Sequence, residues 1–317
     1  MRTFCALAAA ALAVAIAAPQ AQARKLSFEH VMSIGSPGTG EGEFKYVEDF
    51  AFSSEGHLLV TDAAHGWVQA FDKRTGQFLS RFGGKGEEDH NLEKPEGIAV
   101  DSEGNIFVAD YNTGYIKKYS HTYQWLLTFS EYGSEPGQNM KSEFMDIRGD
   151  RLYLPDAGNH RVNVFDLSGN FVSIFGGFGA GPGQFNVPEA AKFGPDGNLY
   201  VTDLRNDRVQ VFNGQGRFLR SWGRTGAGQG EFKSPSGLAI DRNGNVYVAE
   251  IGNDRIQVFG KAGGFVAAFG KGGSGPGEFR NLHGLIVDSD TGLLYVADTG
   301  NHRVQVLKVI WTTDAAR

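Results

Sequence analysis

Residues 95–110 read PEGIAVDSEGNIFVAD, and the phrase returns as PSGLAIDRNGNVYVAE at 235–250 and as LHGLIVDSDTGLLYVAD at 282–298. Each copy is an apolar stretch, a polar turn containing Gly, and a second apolar stretch that ends on an acid. Followed along the chain, that terminal acid is Asp62, Asp110, Asp156, Asp203, Glu250 and Asp298, spaced 46 to 48 residues apart. So regular a period indicates a repeat architecture in which neighbouring units share one core. It overrides the two-domain expectation that a length of 317 residues would otherwise raise.

Each period holds four short strand patterns. In the second copy, Gly104-Asn105 separates Gly97–Asp101 from Ile106–Asp110, and Tyr115–Ser120 and Trp125–Phe129 follow. The Gly-Asn turn favours a hairpin. Short strands at regular spacing with no helical period predict an all-β fold, and four strands per repeat is the make-up of a propeller blade. The fourth strand ends as Ile34-Gly35, Phe82-Gly83, Phe129-Ser130, Phe175-Gly176, Trp222-Gly223 and Phe269-Gly270. The first of these precedes the first complete blade, and the last blade has only three strands of its own. Phe28–Ile34 is therefore expected to pair with Arg303–Leu307 and close the ring, which removes two open sheet edges. The reading is a six-bladed β-propeller of four-stranded blades, closed by the N-terminal strand and formed as one unit by residues 24–317.

Residues 1–23 read as an export signal. Arg2 is followed by an apolar run from Ala6 to Ala18 and by the small-x-small site Ala21-Gln22-Ala23. The run is shorter than the ~20 residues a membrane span needs, and no later segment is apolar enough to cross. The one cysteine, Cys5, lies inside that signal, so the mature chain is expected to be periplasmic or secreted and free of disulfides. The net charge of −6 becomes −7 without Arg2, which argues against a nucleic-acid partner.

The phrases GLAIDRNGNVYVAEIGNDRIQVF (237–259) and NLYVTDLRNDRVQVF (198–212) resemble NHL repeats. The resemblance covers nearly all of the mature chain and is weakest in the third blade (144–165). It implies a six-bladed propeller. NHL propellers bind protein, bind RNA or act as enzymes, so it implies no single function.

Glycine-rich links join the blades, as in GGFGAGPGQF (176–185) and GRTGAGQGEF (223–232). None ends in the Gly-Lys-Ser/Thr of a phosphate loop, and they recur with the repeat, so they read as backbone turns. A second recurring phrase is Asp-x-x-Asn-x-Arg, with Arg161, Arg208, Arg255 and Arg303 in blades three to six. The Arg fork is expected to pin its loop through a carboxylate or carbonyls. The functional alternative is an arc of Arg side chains gripping an anion. Blades one and two place Trp67 and Tyr115 at that position, dividing the face into an aromatic and an arginine sector.

The position of the middle residue in Pro95-Glu96-Gly97, at the start of each first strand, is filled in the aligned copies by Glu48, Glu96, Glu189, Ser236 and His283, with Glu143 as the counterpart in the shortened third blade. Propeller symmetry gathers these residues at one mouth of the central channel. Clustered carboxylates and an imidazole invite a divalent cation, Ca²⁺ or Mg²⁺ through oxygen, Zn²⁺ or Mn²⁺ if the imidazole joins. His283 is similar in position to a zinc ligand of peptidyl-hydroxyglycine lyases, and Glu48 or Glu96 to a metal ligand of gluconolactonase-like propellers. A three-histidine site is missing, because the other blades offer Glu or Ser. The expectation is an exported, monomeric, non-catalytic platform that binds protein or a small molecule on the face carrying the blade links. The alternative is a metal-dependent lyase or lactonase with its site at the channel mouth.

Overall fold

The computed structural model describes residues 24–313, and the expected export signal at 1–23 lies outside them. Six four-stranded antiparallel sheets stand around a channel. Their inner strands are Val47–Phe52, Pro95–Val100, Asp146–Arg148, Pro188–Phe193, Pro235–Ile240 and Leu282–Asp288. In blades one to five the strands run inner to outer in chain order. In blade six, Leu282–Asp288, Leu293–Asp298 and Arg303–Thr313 are completed by Arg24–Ile34. The closing pair runs from Arg24 opposite Thr313 to Ile34 opposite Val304, with one bulge between His30 and Met32. The expected closure is present, and both strands run further than the sequence pattern indicated.

Local chemistry explains the hairpins. Asp101 Oδ1 accepts the N–H groups of Glu103 (2.9 Å) and Asn105 (2.8 Å), and Asn105 Nδ2 donates to Asp101 Oδ2. Asp241 closes the fifth blade's turn through Asn243 and Asn245 in the same way. These are Asx turns whose carboxylates are used internally.

The recurring acid has an equally local role. Its carboxylate accepts backbone N–H from the link leading into its own blade, in all six blades. The donors are Tyr46 to Asp62, Lys94 to Asp110, Met140 to Asp156, Asn186 to Asp203, Lys233 to Glu250 and Arg280 to Asp298. Between blades, Phe44, Phe185, Phe232 and Phe279 from the links are fully buried. A Cβ on Gly223, which has φ +104°, would collide with the ring of Phe232. The link needs glycine there both for its left-handed backbone and for the closeness of the aromatic ring. Each such Phe contributes roughly 1.5–3 kcal/mol by burial.

The Pro-x-Gly phrase sets the channel. A Cβ on Gly97, Gly237 or Gly284 would collide with the carbonyl of Glu143, His283 or Glu48 in the next blade. At those three junctions glycine lets adjacent inner strands come so close, while Asp49, Phe144 and Ala190 hold the position in the other blades. We call the end where inner strands begin, which also carries the links, the loop face.

Candidate functional site

In blades three to six the loop after the second strand is saturated by its own residues. Arg255 Nε donates to Glu250 Oε1 (2.6 Å), and its remaining donors reach the carbonyls of Ala227, Gly228 and Glu231 at 2.6–2.9 Å. Arg161, Arg208 and Arg303 repeat the arrangement with Asp156, Asp203 and Asp298. Asn253 adds a bond to Glu250 and to the carbonyl of Gly226. Each guanidinium is thus tied to its own carboxylate and to the preceding link, the pinning geometry expected of a structural fork.

In blade one, Trp67 carries His65 stacked at 4.4 Å and the Arg81 guanidinium at 3.9 Å, while His65 Nδ1 contacts Asp62 Oδ2 at 2.7 Å. Tyr115 of blade two is 38 % exposed on the loop face. Of the two aromatics, Tyr115 stands out into solvent and Trp67 is partly covered. The loop histidines are held by backbone: His160 Nδ1 accepts the N–H of Val187, and His302 Nδ1 bonds the carbonyl of Lys45.

The channel mouth is different. Glu48, Glu96, Glu143 and Glu189 are buried there, with His283 12 % exposed. Glu143, from the blade whose phrase is most degraded, takes its expected place. Ser236 instead donates to the carbonyl of Leu282 (2.8 Å) and is closed off. His283 Nδ1 contacts Glu48 Oε2. Burial pushes Glu48 well above the usual carboxylate range and pushes His283 down, so desolvation disfavours the charged form of both partners. Glu96 and Glu143 hydrogen-bond to each other, and Glu143 is raised well above the usual range by burial and then by the Glu189 and Glu96 charges. Burial, then the Glu48 charge, brings Glu96 to about 7, and burial brings Glu189 to about 8.

Sequence reading missed a cation at this mouth. Lys94 forms an ion pair with Glu96 and sits 3.7 Å from the ring centre of Tyr111. The Tyr111 hydroxyl is pushed up to about 12 by burial and then by Glu143 and Glu96. A lysine before Pro95 carried no signal in the chain: its partner Glu96 is a neighbour in sequence, but the carboxyl cluster that makes the pair matter is assembled only by the ring. Two cavities open beside the cluster. One of about 500 Å³ is lined by Tyr46, Lys85, Glu93 and Lys94. The other, about 330 Å³, is lined by Tyr111, Glu143, His160, Glu189 and Arg205.

The residues do not fit a metal centre as placed. Among the described residues, no three His, Cys, Asp or Glu side chains converge closely enough to hold an ion. His283 is paired with Glu48, and Lys94 occupies the Glu96 side of the mouth. No helix among the described residues is long and apolar enough to cross a membrane.

With fold and mouth defined, comparisons place the architecture. The NHL repeat model matches residues 92–119 and 279–307, and a 6-bladed beta-propeller model matches 194–256. The chain carries NHL repeats in a six-bladed β-propeller. It is similar to Protein brain tumor of Drosophila melanogaster, 27 % identical over 160 residues, which is 50 % of this chain and 15 % of that protein. It is also similar to RING finger protein nhl-1 of Caenorhabditis elegans, 41 % identical over 59 residues, or 18 % of this chain and 6 % of that one. The chain therefore matches less than a fifth of either relative's length. Among solved structures, a streptogramin B lyase superposes with a TM-score of 0.62 at 13 % identity, covering 90 % of this chain and 98 % of that one. A gluconolactonase from Xanthomonas campestris superposes with a TM-score of 0.64 at 15 % identity, covering 84 % and 87 %. At such identities the likeness concerns the fold.

Proposed function

We propose that this protein is an exported, non-catalytic binding propeller that receives a protein or small-molecule ligand on its loop face, centred on the channel mouth. The carrying observation is the contrast in hydrogen bonding there. The repeated arginines are consumed by the loops, whereas the buried carboxyls of Glu143 and Glu189 line a cavity open on that face. Groups with strongly displaced pKa values facing a cleft are a physical marker of a functional site. Similarity to NHL proteins supports a partner-binding role, and the mild negative charge supports a partner other than nucleic acid.

Hydrogen exchange read by mass spectrometry, on protein challenged with peptide and small-molecule libraries, tests the reading. A ligand should protect the amides around Tyr46, Lys94 and Met140, and should lose affinity in the Glu96→Gln/Glu189→Gln double variant. Protection confined to other surfaces, or binding indifferent to those substitutions, sinks it.

The second reading is a metal-dependent lyase or lactonase using Glu48, Glu96, Glu189 and His283, favoured by the gluconolactonase and lyase folds among its structural likenesses. The side-chain arrangement stands against it, because the imidazole and Lys94 already pair with the carboxyls. Metal analysis of protein purified without chelator decides: stoichiometric Ca²⁺, Zn²⁺ or Mn²⁺ with turnover of a lactone would replace the platform reading.

A further inference from the structure

At the opposite end of the channel from the loop face lies a cavity of about 320 Å³, lined by inner strands from all six blades. Its size falls within the roughly 300–1,000 Å³ of small-molecule sites. It is a blind pocket. Lys192 of blade four reaches across the ring to Asp49 of blade one, Nζ to Oδ2 at 3.1 Å, and donates to the carbonyl of Met145 at 2.9 Å. That ion pair separates the cavity from the Glu/His cluster of the mouth.

The walls show where the repeat was broken. One inner-strand position is Ala51, Ala99 and Ala239 in blades one, two and five, but Asp146 and Lys192 in blades three and four. The alanines leave room, and the two charges place polarity at one side of an apolar chamber walled by Phe52, Val100, Phe193, Ile240 and Ile286. A purely structural filling would have closed this space with larger aliphatic side chains.

The polar floor is short of donors. Asp146 lines the cavity and Asp49 lies behind it, and one ammonium, that of Lys192, acts on both carboxyls. Lys192 is committed to Asp49, and Asp146 accepts only two backbone N–H groups, from Ile147 and Phe193 at 2.7–2.8 Å. Asp49 is fully buried and its Oδ1 has no partner. Arg148, the other cation near Asp146, is exposed and held 5.1 Å from the ring centre of Phe193. Excess buried carboxylate is costly unless a cation or donor arrives.

We infer that this cavity is a binding pocket for a small organic amine, whose ammonium meets Asp146 beside the Asp49–Lys192 pair and whose apolar body lies against Phe52, Phe193 and Ile286. It is independent of any ligand on the loop face.

Calorimetric titration of the purified protein with 2-phenylethylamine, and with the neutral isostere 2-phenylethanol, tests it. The amine should bind at one site, at least about ten-fold more tightly than the alcohol, the equivalent of 1.4 kcal/mol. Asp146→Asn should weaken the amine by a similar factor. Ala239→Leu, which fills the chamber, should abolish binding in a protein that still melts cooperatively, although at a lower temperature because Ala239 also packs in the core between blades five and six. Glu96→Gln, at the other mouth, should change nothing. If Asp146→Asn does not fold, the amine-to-alcohol ratio and Ala239→Leu still decide. Equal binding of the alcohol, binding that survives Ala239→Leu, binding lost in Glu96→Gln, or no binding of the amine at millimolar concentration would each overturn the assignment.

Discussion

The Asp–Asn–Arg loops and the channel mouth share one face of the propeller, yet the fold treats their charges in opposite ways. In the loops each buried acid meets an Arg, an Asn and backbone N–H groups inside its own repeat, so nothing is left to bind. At the mouth four glutamates from four blades meet one lysine and one histidine, and burial raises the proton affinity of every one of the glutamates. A charge compensated within one repeat can be copied around the ring. A charge compensated between repeats has to be arranged once, and that is where function can reside.

The largest test of this contrast is in the loops. Arg255→Ala takes the cation from the buried Glu250 carboxylate and the donor from the carbonyls of Ala227 and Gly228, while Gln257 still bonds Glu250 and the carbonyl of Glu231; it should lower stability by about 2–4 kcal/mol in denaturant titration. Loop-face ligand binding should survive. Binding lost at wild-type stability would show the loops and the mouth to be one functional unit.

A smaller effect should come from the mouth itself. A carboxyl whose folded pKa lies above its unfolded value of about 4.3 holds its proton more tightly in the native state. Its stabilisation is complete below that unfolded value and is lost as pH rises through the folded one. With Glu96 at about 7 and Glu189 at about 8, the melting temperature should fall between about pH 5 and pH 8. Glu189→Gln should flatten that slope and raise the melting point at pH 8. A slope unchanged by the substitution would mean that the mouth carboxyls are ionised and compensated as the loop acids are.

The smallest effect concerns Lys94. If its ammonium is what offsets the glutamates, Lys94→Met should let added Ca²⁺ or Mn²⁺ raise the melting temperature more than in the unsubstituted protein. Equal responses would remove Lys94 from the electrostatics of the mouth.

What could be read from the chain divides along the same line. The period of the terminal acid, from Asp62 to Asp298, carried the blade count, because each acid does its work within one repeat. The displaced Ile34-Gly35 ending carried the ring closure. Its extension to Arg24 was not visible, since the added residues, Arg24 to Ser27, mix polar and apolar types without the repeat's pattern. Glu48, Glu96, Glu189 and His283 were found because symmetry alone brings equivalent positions together. Lys94, Asp49 and Lys192 were not, because each departs from the repeat singly; Asp49 and Lys192 have their partners in another blade, and Lys94 gains its meaning only from the glutamates that the other blades bring to Glu96. Lys192 and Asp49 are 143 residues apart, and nothing local announces their contact.

The closing strand has a consequence in time as well as in space. Arg24–Ile34 is the first described part of the chain to be synthesised, and its partner Arg303–Thr313 is the last. Blades one to five can assemble in the order they emerge, each on its predecessor. The sixth must wait, with an unpaired strand at the front of the chain, until the rear arrives. Completion is therefore a late, long-range step that a truncated product cannot take. Such a product would keep two open edges and be exposed to aggregation and proteolysis, so closure doubles as a check that every blade of the propeller has been made.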